Sequence, residues 1–215
     1  MTATFSAQQQ AWQALLEQPL AFVEARRLRE CWPQTVTNQQ HAALQSASRF
    51  QSRLLQLLMG HFHLQPLAQL QSPLDQDLPV LLLSPDDFKR LPRLCGAIWH
   101  AATLSREIRS DAVNKLRSAL GAEVFALALA HRSLAGAADL LRQPDDLLEA
   151  IDRDGASCVA AWLQTQPSAL QHWLRLRLEM PQSGNTQAGV PHTAMDLEIV
   201  RSAAATFDQF AEEVA

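Results

Sequence analysis

The chain contains no tyrosine, only seven glycines in 215 residues, and almost no run rich in β-branched residues. Sheets and the tight turns that join their strands are built from those residue types, so the composition points away from a β architecture. So few glycines also leave little material for a loop that cradles phosphate, and no GxxxxGK[ST], GxGxxG, GxSxG or HExxH pattern occurs. The three cysteines, Cys31, Cys95 and Cys158, are odd in number, far apart and without a CxxC pair. That argues against a disulfide framework and a structural zinc site, and each reads as a small buried apolar side chain. Nowhere do 18 consecutive apolar residues appear, so no segment reads as spanning a membrane. The opening MTATFSAQQQAW lacks the basic region and apolar run of a signal peptide, and a reducing cytoplasm is the expected setting. An excess of basic charge is missing too. The net charge is −4 and the pI about 5.9, which gives no global support for phosphate-backbone binding and ranks nucleic acid last among partners.

What is present is 47% hydrophobic and 19% charged residues, a globular balance dominated by Leu, Ala and Gln, all good or neutral helix formers. The expected fold is all-α, an irregular multi-helix globular bundle. Helical spacing of Trp12, Leu15 and Leu16 predicts a first helix over 6–18, closed by Pro19. A second spans about 20–31, with Phe22, Val23, Leu28 and Cys31 as its apolar face. Thr37 or Asn38 can cap a long third helix to about Phe62. Prolines 66, 73 and 79 make 64–83 a connector, and Pro79–Leu83 is the one place where a short extended segment is allowed. Ser84-Pro85-Asp86-Asp87 is a strong helix start, with Pro at the first helical position and acids in the first turn. Pro92 is expected to kink or restart that helix on its way to about Arg109.

A helix over 111–120 follows, then Gly121, then Glu123–Ala135, so densely apolar that it is expected at the centre of the core. Four shorter helices are predicted over 136–142, 144–152, 155–165 and 167–180. The organisation expected is one helical domain over 1–180, a linker over 181–193 (PQSGNTQAGVPH is its body) and a final amphipathic helix over 194–215 docked on the same domain.

The residue types able to carry chemistry have plainer explanations. His61 and His63, two apart on a helix, point to different sides and cannot easily share a metal. His100, beside Trp99 in an apolar helix, reads as a satisfied core histidine and not a general base. His131 sits at a helix end, where a cation is favoured by the dipole. The acid pairs Asp86-Asp87 and Asp145-Asp146 begin helices. In Leu174-Arg175-Leu176-Arg177-Leu178 a helical reading sends the two arginines about 200° apart, not into one stripe. No catalytic residue, metal ligand or cofactor site is assigned, and the expectation is that the chain is not an enzyme.

Two stretches carry a resemblance. Pro19-Leu20-Ala21-Phe22-Val23-Glu24-Ala25, continuing to Leu28 and Trp32, is similar to the opening of the SctK/YscK family of type III secretion proteins. The run from Leu91 to about Leu134, LPRLCGAIWHAATLSREIRSDAVNKLRSALGAEVFALALAHRSL, resembles that family's central block. Together they cover about a third of the chain. Glu24 or Ala25, and Leu28-Arg29, stand where the family pattern has a histidine and a leucine-proline pair. The resemblance implies a non-enzymatic cytoplasmic adaptor of a sorting platform, peripheral to the inner membrane and not inserted in it. Its implied partners are the cytoplasmic domain of an inner-membrane ring protein and the platform's pod protein. No short binding motif transfers with it. From the residues themselves, Arg26, Arg27 and Arg29 form a concentrated basic patch on an acidic protein and are the expected contact for an acidic partner. The alternative is a helical secretion chaperone or regulator that holds a polypeptide client, distinguished by a large apolar patch with no internal partner.

Overall fold

Every regular element among the described residues is helical, and none is a strand. The structure, a computed structural model, describes residues 2–32, 36–37, 39–40, 43–44, 47–70, 73–136, 143–177 and 194–213. In chain order the helices are α1 (Thr2–Glu17), α2 (Ala25–Glu30), α3 (Gln51–Phe62), α4 (Leu78–Leu82), α5 (Pro85–Trp99) and α6 (Ala101–Arg106). They continue with α7 (Ser110–Leu120), α8 (Ala122–Ala130), α9 (Pro144–Thr165), α10 (Ser168–Arg175) and α11 (Ala194–Glu213). The contacts gather into two units, one of residues 1–85 with 166–182, the other of 86–165 with 183–215. The linker expected over 181–193 and the helix expected over 136–142 lie, 136 apart, outside the described residues.

In the first unit, burial follows the aromatic residues. Trp12 on α1 and Trp173 on α10 both meet Phe22 edge-to-face, with ring centroids 6.3 and 6.5 Å away. The Trp173 indole N–H, which must find an acceptor when buried, donates to the Gln65 carbonyl at 2.8 Å. Leu54 and Leu58 of α3 and Leu78, Val80 and Leu81 of α4 complete this core. The Pro79–Leu83 segment, allowed above to be extended, is instead helical as α4, and only Leu83 turns extended. Proline is compatible with a first helical turn, where its missing N–H would have no partner. Leu78, Val80 and Leu81 are then buried, and α4 packs against α1.

The predicted 20–31 helix resolves into a single 3-10 turn, Pro19–Phe22, followed by α2. The long third helix also differs. Thr37 does cap, in a reciprocal box: its N–H donates to Gln40 Oε1 at 3.0 Å and its hydroxyl accepts the Gln40 N–H at 3.3 Å. At Ala47, however, the backbone is extended, and α3 starts only at Gln51 after a short 3-10 turn. Residues 39, 40, 43 and 44 are helical, so the expected helix is interrupted at Ala47 and not missing before it.

The second unit is built around a close crossing of α5 and α9. A Cβ placed on Gly96 would fall on the Ile151 carbonyl, and one on Gly155 would fall on the Pro92 carbonyl. The two backbones therefore touch directly. This explains two departures from expectation. Gly155 lies inside one continuous helix, Pro144–Thr165, and does not separate two short ones. Pro92 lies inside α5, and the chain leaves that helix at His100 instead. One lost hydrogen bond at the proline is outweighed by the packing on both sides of it. Phe88 meets Trp162 edge-to-face at 6.5 Å, and Leu91, Ile98, Ile151 and Trp162 are fully buried. Helix α11 lies along α9 and buries Ile199, Val200, Ala203 and Ala204.

Candidate interaction surfaces

Groups able to do chemistry are mostly held in structural pairs. His100 is buried, with Nε2 2.9 Å from Asp154 Oδ2. Burial works to raise the Asp154 carboxyl, but hydrogen bonds from Arg153 and His100 outweigh it and hold the group below the usual carboxylate range. An ionised carboxylate only accepts, so the His100 Nε2 carries the proton of that bond. His100 is thus the satisfied core histidine expected of it. His131 Nδ1 is 3.1 Å from the Leu127 carbonyl at the end of α8. His61 stands edge-on to Phe62 within α3, while His63 caps that helix in the left-handed region (φ 52°). Cys95 and Cys158 are buried and free; burial and then Asp196 push the Cys158 thiol up to about 12. Among the described residues no group of three His, Cys, Asp or Glu side chains is placed to hold a metal ion. Nor, among them, is any helix long and apolar enough to cross a membrane.

Arg175 is exposed and Arg177 is buried, so the alternating stretch presents no basic stripe. Arg177 is the feature the sequence concealed. Its guanidinium donates to the Leu81 carbonyl at 3.0 Å and to the Leu83 carbonyl, and lies 4.4 Å over the Phe22 ring. Burial lowers it to about 10, so it stays charged at neutral pH. It therefore ties the end of α4 to the aromatic core. A spacing rule that sees only a Leu/Arg alternation cannot distinguish this arginine from a surface one.

The three arginines singled out above all lie on α2, with different roles. Arg26 and Arg29, three apart, share an exposed face. Arg27 is half-buried, with Nη1 at 3.1 and 3.2 Å from the two Glu30 carboxylate oxygens. The exposed members of the cluster are therefore Arg26 and Arg29. Beside it lies an open groove of about 690 Å³ between the Pro19–Phe22 turn, α2 and α3. Its lining includes Pro19, Leu20, Val23, Leu28 and Leu55. Ala25 and Leu28 of α2 line it, as does one acid, Glu17, and no arginine does.

A second surface belongs to the other unit. Helix α8, sequence AEVFALALA, is expected at the centre of the core, yet only Val124 and Ala128 are buried. Packing against α6 and α7 covers one side. Ala122, Ala126, Leu129 and Ala130 face solvent, with Phe125 and Leu127 half-covered. A helix apolar on all sides is normally buried on all sides. Near the start of α7, Ile108 is 89% exposed, the extreme among large apolar residues described. Its neighbours clasp each other: Arg109 donates from Nε and a terminal nitrogen to the two Glu107 oxygens at 2.9 and 2.6 Å. The Arg109 backbone N–H adds a third bond to Glu107 at 2.9 Å. Sequence periodicity could not find these surfaces, because it registers an apolar face without saying whether anything covers it.

Comparison with known proteins adds one relationship. The chain is similar to nodulation protein NolU. Over 142 residues it is 30% identical to the NolU proteins of Rhizobium fredii and of Sinorhizobium fredii, a match covering 64% of this chain. The match spans 61% of the length of those relatives. No family model matches the chain, and no solved structure does.

Proposed function

We propose that this chain is a non-enzymatic adaptor of a bacterial type III secretion sorting platform. In this reading it sits in the cytoplasm, peripheral to the inner membrane, and links the cytoplasmic domain of a ring protein to the pod protein. The observation that carries the proposal is α8, an apolar helix left half-open to solvent within the very stretch, Leu91–Leu134, that resembles the central block of the SctK/YscK family. Contiguous apolar surface on a folded protein marks a contact site. The relation to nodulation protein NolU is consistent with a role in an interaction between bacterium and host. The basic face of α2, in the other unit, supplies a separate surface. A linker needs two such surfaces, and the charge of Arg26 and Arg29 suits an acidic partner.

The groove beside α2 favours a second reading, a secretion chaperone or regulator that holds a client polypeptide. Affinity capture of the tagged protein from bacteria expressing the secretion apparatus, read by mass spectrometry, separates the two. Recovery of the ring and pod proteins is the expected result. Recovery of a secreted client alone supports the chaperone, and recovery of none of these contradicts both.

A further inference from the structure

We propose that the outward face of α3 docks an acidic polypeptide segment, two of whose carboxylates, one helical turn apart, engage Arg49 and Arg53. This goes beyond the adaptor reading, because the surface is neither the α2 face nor α8. No Asp or Glu occurs between Glu30 and Asp75, on a chain whose net charge is −4. That stretch holds the 3-10 turn Ser48–Phe50 and the whole of α3. Basic residues on an exposed helix are usually offset by acids three or four positions away. Elsewhere in the molecule they are: Arg27 pairs with Glu30, Lys89 with Asp86 and Arg90 with Asp87. On α3 no such acid is available, and neither Arg49 nor Arg53 has an ion-pair partner among the described residues.

Arg49, Arg53, Gln56 and Gly60 are all exposed and follow one another along the side turned away from the buried Leu54 and Leu58. The Arg49 guanidinium lies 4.7 Å over the Phe50 ring, a stacking that leaves its in-plane N–H donors for a carboxylate. Residues four apart on a helix are neighbours, so the two guanidiniums present a pair of planar forks. Two carboxylates three or four apart on an incoming helix match that spacing, and each can be held by two hydrogen bonds. One turn further on, Leu57 is 41% exposed, and a Cβ added at Gly60 would meet nothing within 4 Å, so a partner can approach closely there. An anionic membrane surface would ask for an apolar face to insert. Helix α3 already buries Leu54 and Leu58 in its own core, and Leu57 is its one exposed leucine. Two arginines are also too few for a nucleic-acid backbone. A pair of carboxylates on a polypeptide needs no more than this face supplies.

The test uses the full chain and three helix-stapled synthetic peptides. They are identical except at two positions four apart, which carry Glu, Gln or Lys, and each has a leucine one turn further on. Fluorescence anisotropy at low ionic strength is expected to show binding of the Glu peptide and roughly tenfold or weaker binding of the other two. Arg49→Gln with Arg53→Gln should remove that preference, whereas Arg26→Gln with Arg29→Gln should leave it. Gly60→Glu, in open space on the same face, should weaken binding of the Glu peptide with the helical circular dichroism unchanged. Equal binding of the Glu and Gln peptides overturns the inference. So does a preference that survives the loss of Arg49 and Arg53, or one that vanishes with Arg26 and Arg29. Cosedimentation with vesicles of phosphatidylglycerol and phosphatidylcholine that requires Arg49 and Arg53, with no discrimination among the peptides, overturns it in favour of a lipid contact. The adaptor reading stands or falls separately, because Arg49→Gln with Arg53→Gln alters neither α2 nor α8.

Discussion

Three residues in a row, Glu107, Ile108 and Arg109, show how local electrostatics can hold an apolar side chain in water. Hydrogen bonds from the Arg109 side chain, followed by its backbone N–H, hold Glu107 at about 2 against an ordinary 4.5. A carboxylate lowered on folding contributes stability above its unfolded value, and that contribution is lost as pH falls from about 4.5 through 2. A carboxyl-carbon NMR titration should therefore place the Glu107 midpoint near 2, and in Arg109→Ala it should return towards the ordinary value. A midpoint already ordinary in the wild type would mean the clasp does not exist in solution. Asp154, half-buried against the buried His100, is the counterpart in the interior. Replacing it by Asn leaves His100 facing a neutral amide in a covered site. The expected loss is about 1–3 kcal/mol, the cost of an imperfectly satisfied buried polar group, read by urea unfolding. The cysteines give a simpler expectation. With burial raising both thiols, Cys95 and Cys158 should resist alkylation in the folded protein at pH 8 and react once it is unfolded. Rapid labelling of either under native conditions would contradict the packing described.

At the scale of the element, the same substitution should act with opposite sign at different glycines. Gly96→Ala and Gly155→Ala each put a methyl where a backbone carbonyl of the crossing helix lies. A carbonyl held in its own helix cannot step aside, so a destabilisation of about 1–3 kcal/mol or more is expected at each. Gly60, exposed in α3, has nothing within 4 Å of its would-be Cβ. Gly60→Ala should stabilise by about 0.5–1 kcal/mol through helix propensity alone. Thermal melts decide both, at roughly 2–4 °C per kcal/mol for a chain of this size.

Those glycines also mark what could be read from the sequence. The helix start at Pro85, the helical character of 144–165 and the apolar stripe of α11 follow from local chemistry and were legible. The role of Gly155 was not. Locally it is a helix breaker, and only the approach of α5, more than fifty residues away in sequence, makes it the residue that the helix requires there. For the same reason Pro92 reads as a break and the buried α4 reads as extended. In each, a tertiary contact overrode the local preference. The basic cluster was legible as charge, but the pairing of Arg27 with Glu30 and the groove beside Leu28 emerge only when α2 is folded against its neighbours.

The whole molecule offers contact surfaces on both units, the basic face of α2 with the groove beside it on the first and the open apolar helix α8 on the second. A linking role demands that both be occupied at once by different proteins. Leu129→Glu, on the exposed side of α8, should weaken one partner and leave the other bound. Arg26→Glu with Arg29→Glu should do the reverse. The most direct test of the account is to mix the purified chain with the ring protein's cytoplasmic domain and the pod protein and measure the masses formed by analytical ultracentrifugation. A ternary complex that forms only when this chain is present is the predicted result. Mutually exclusive binding of the two proteins, or no association with either, would contradict it.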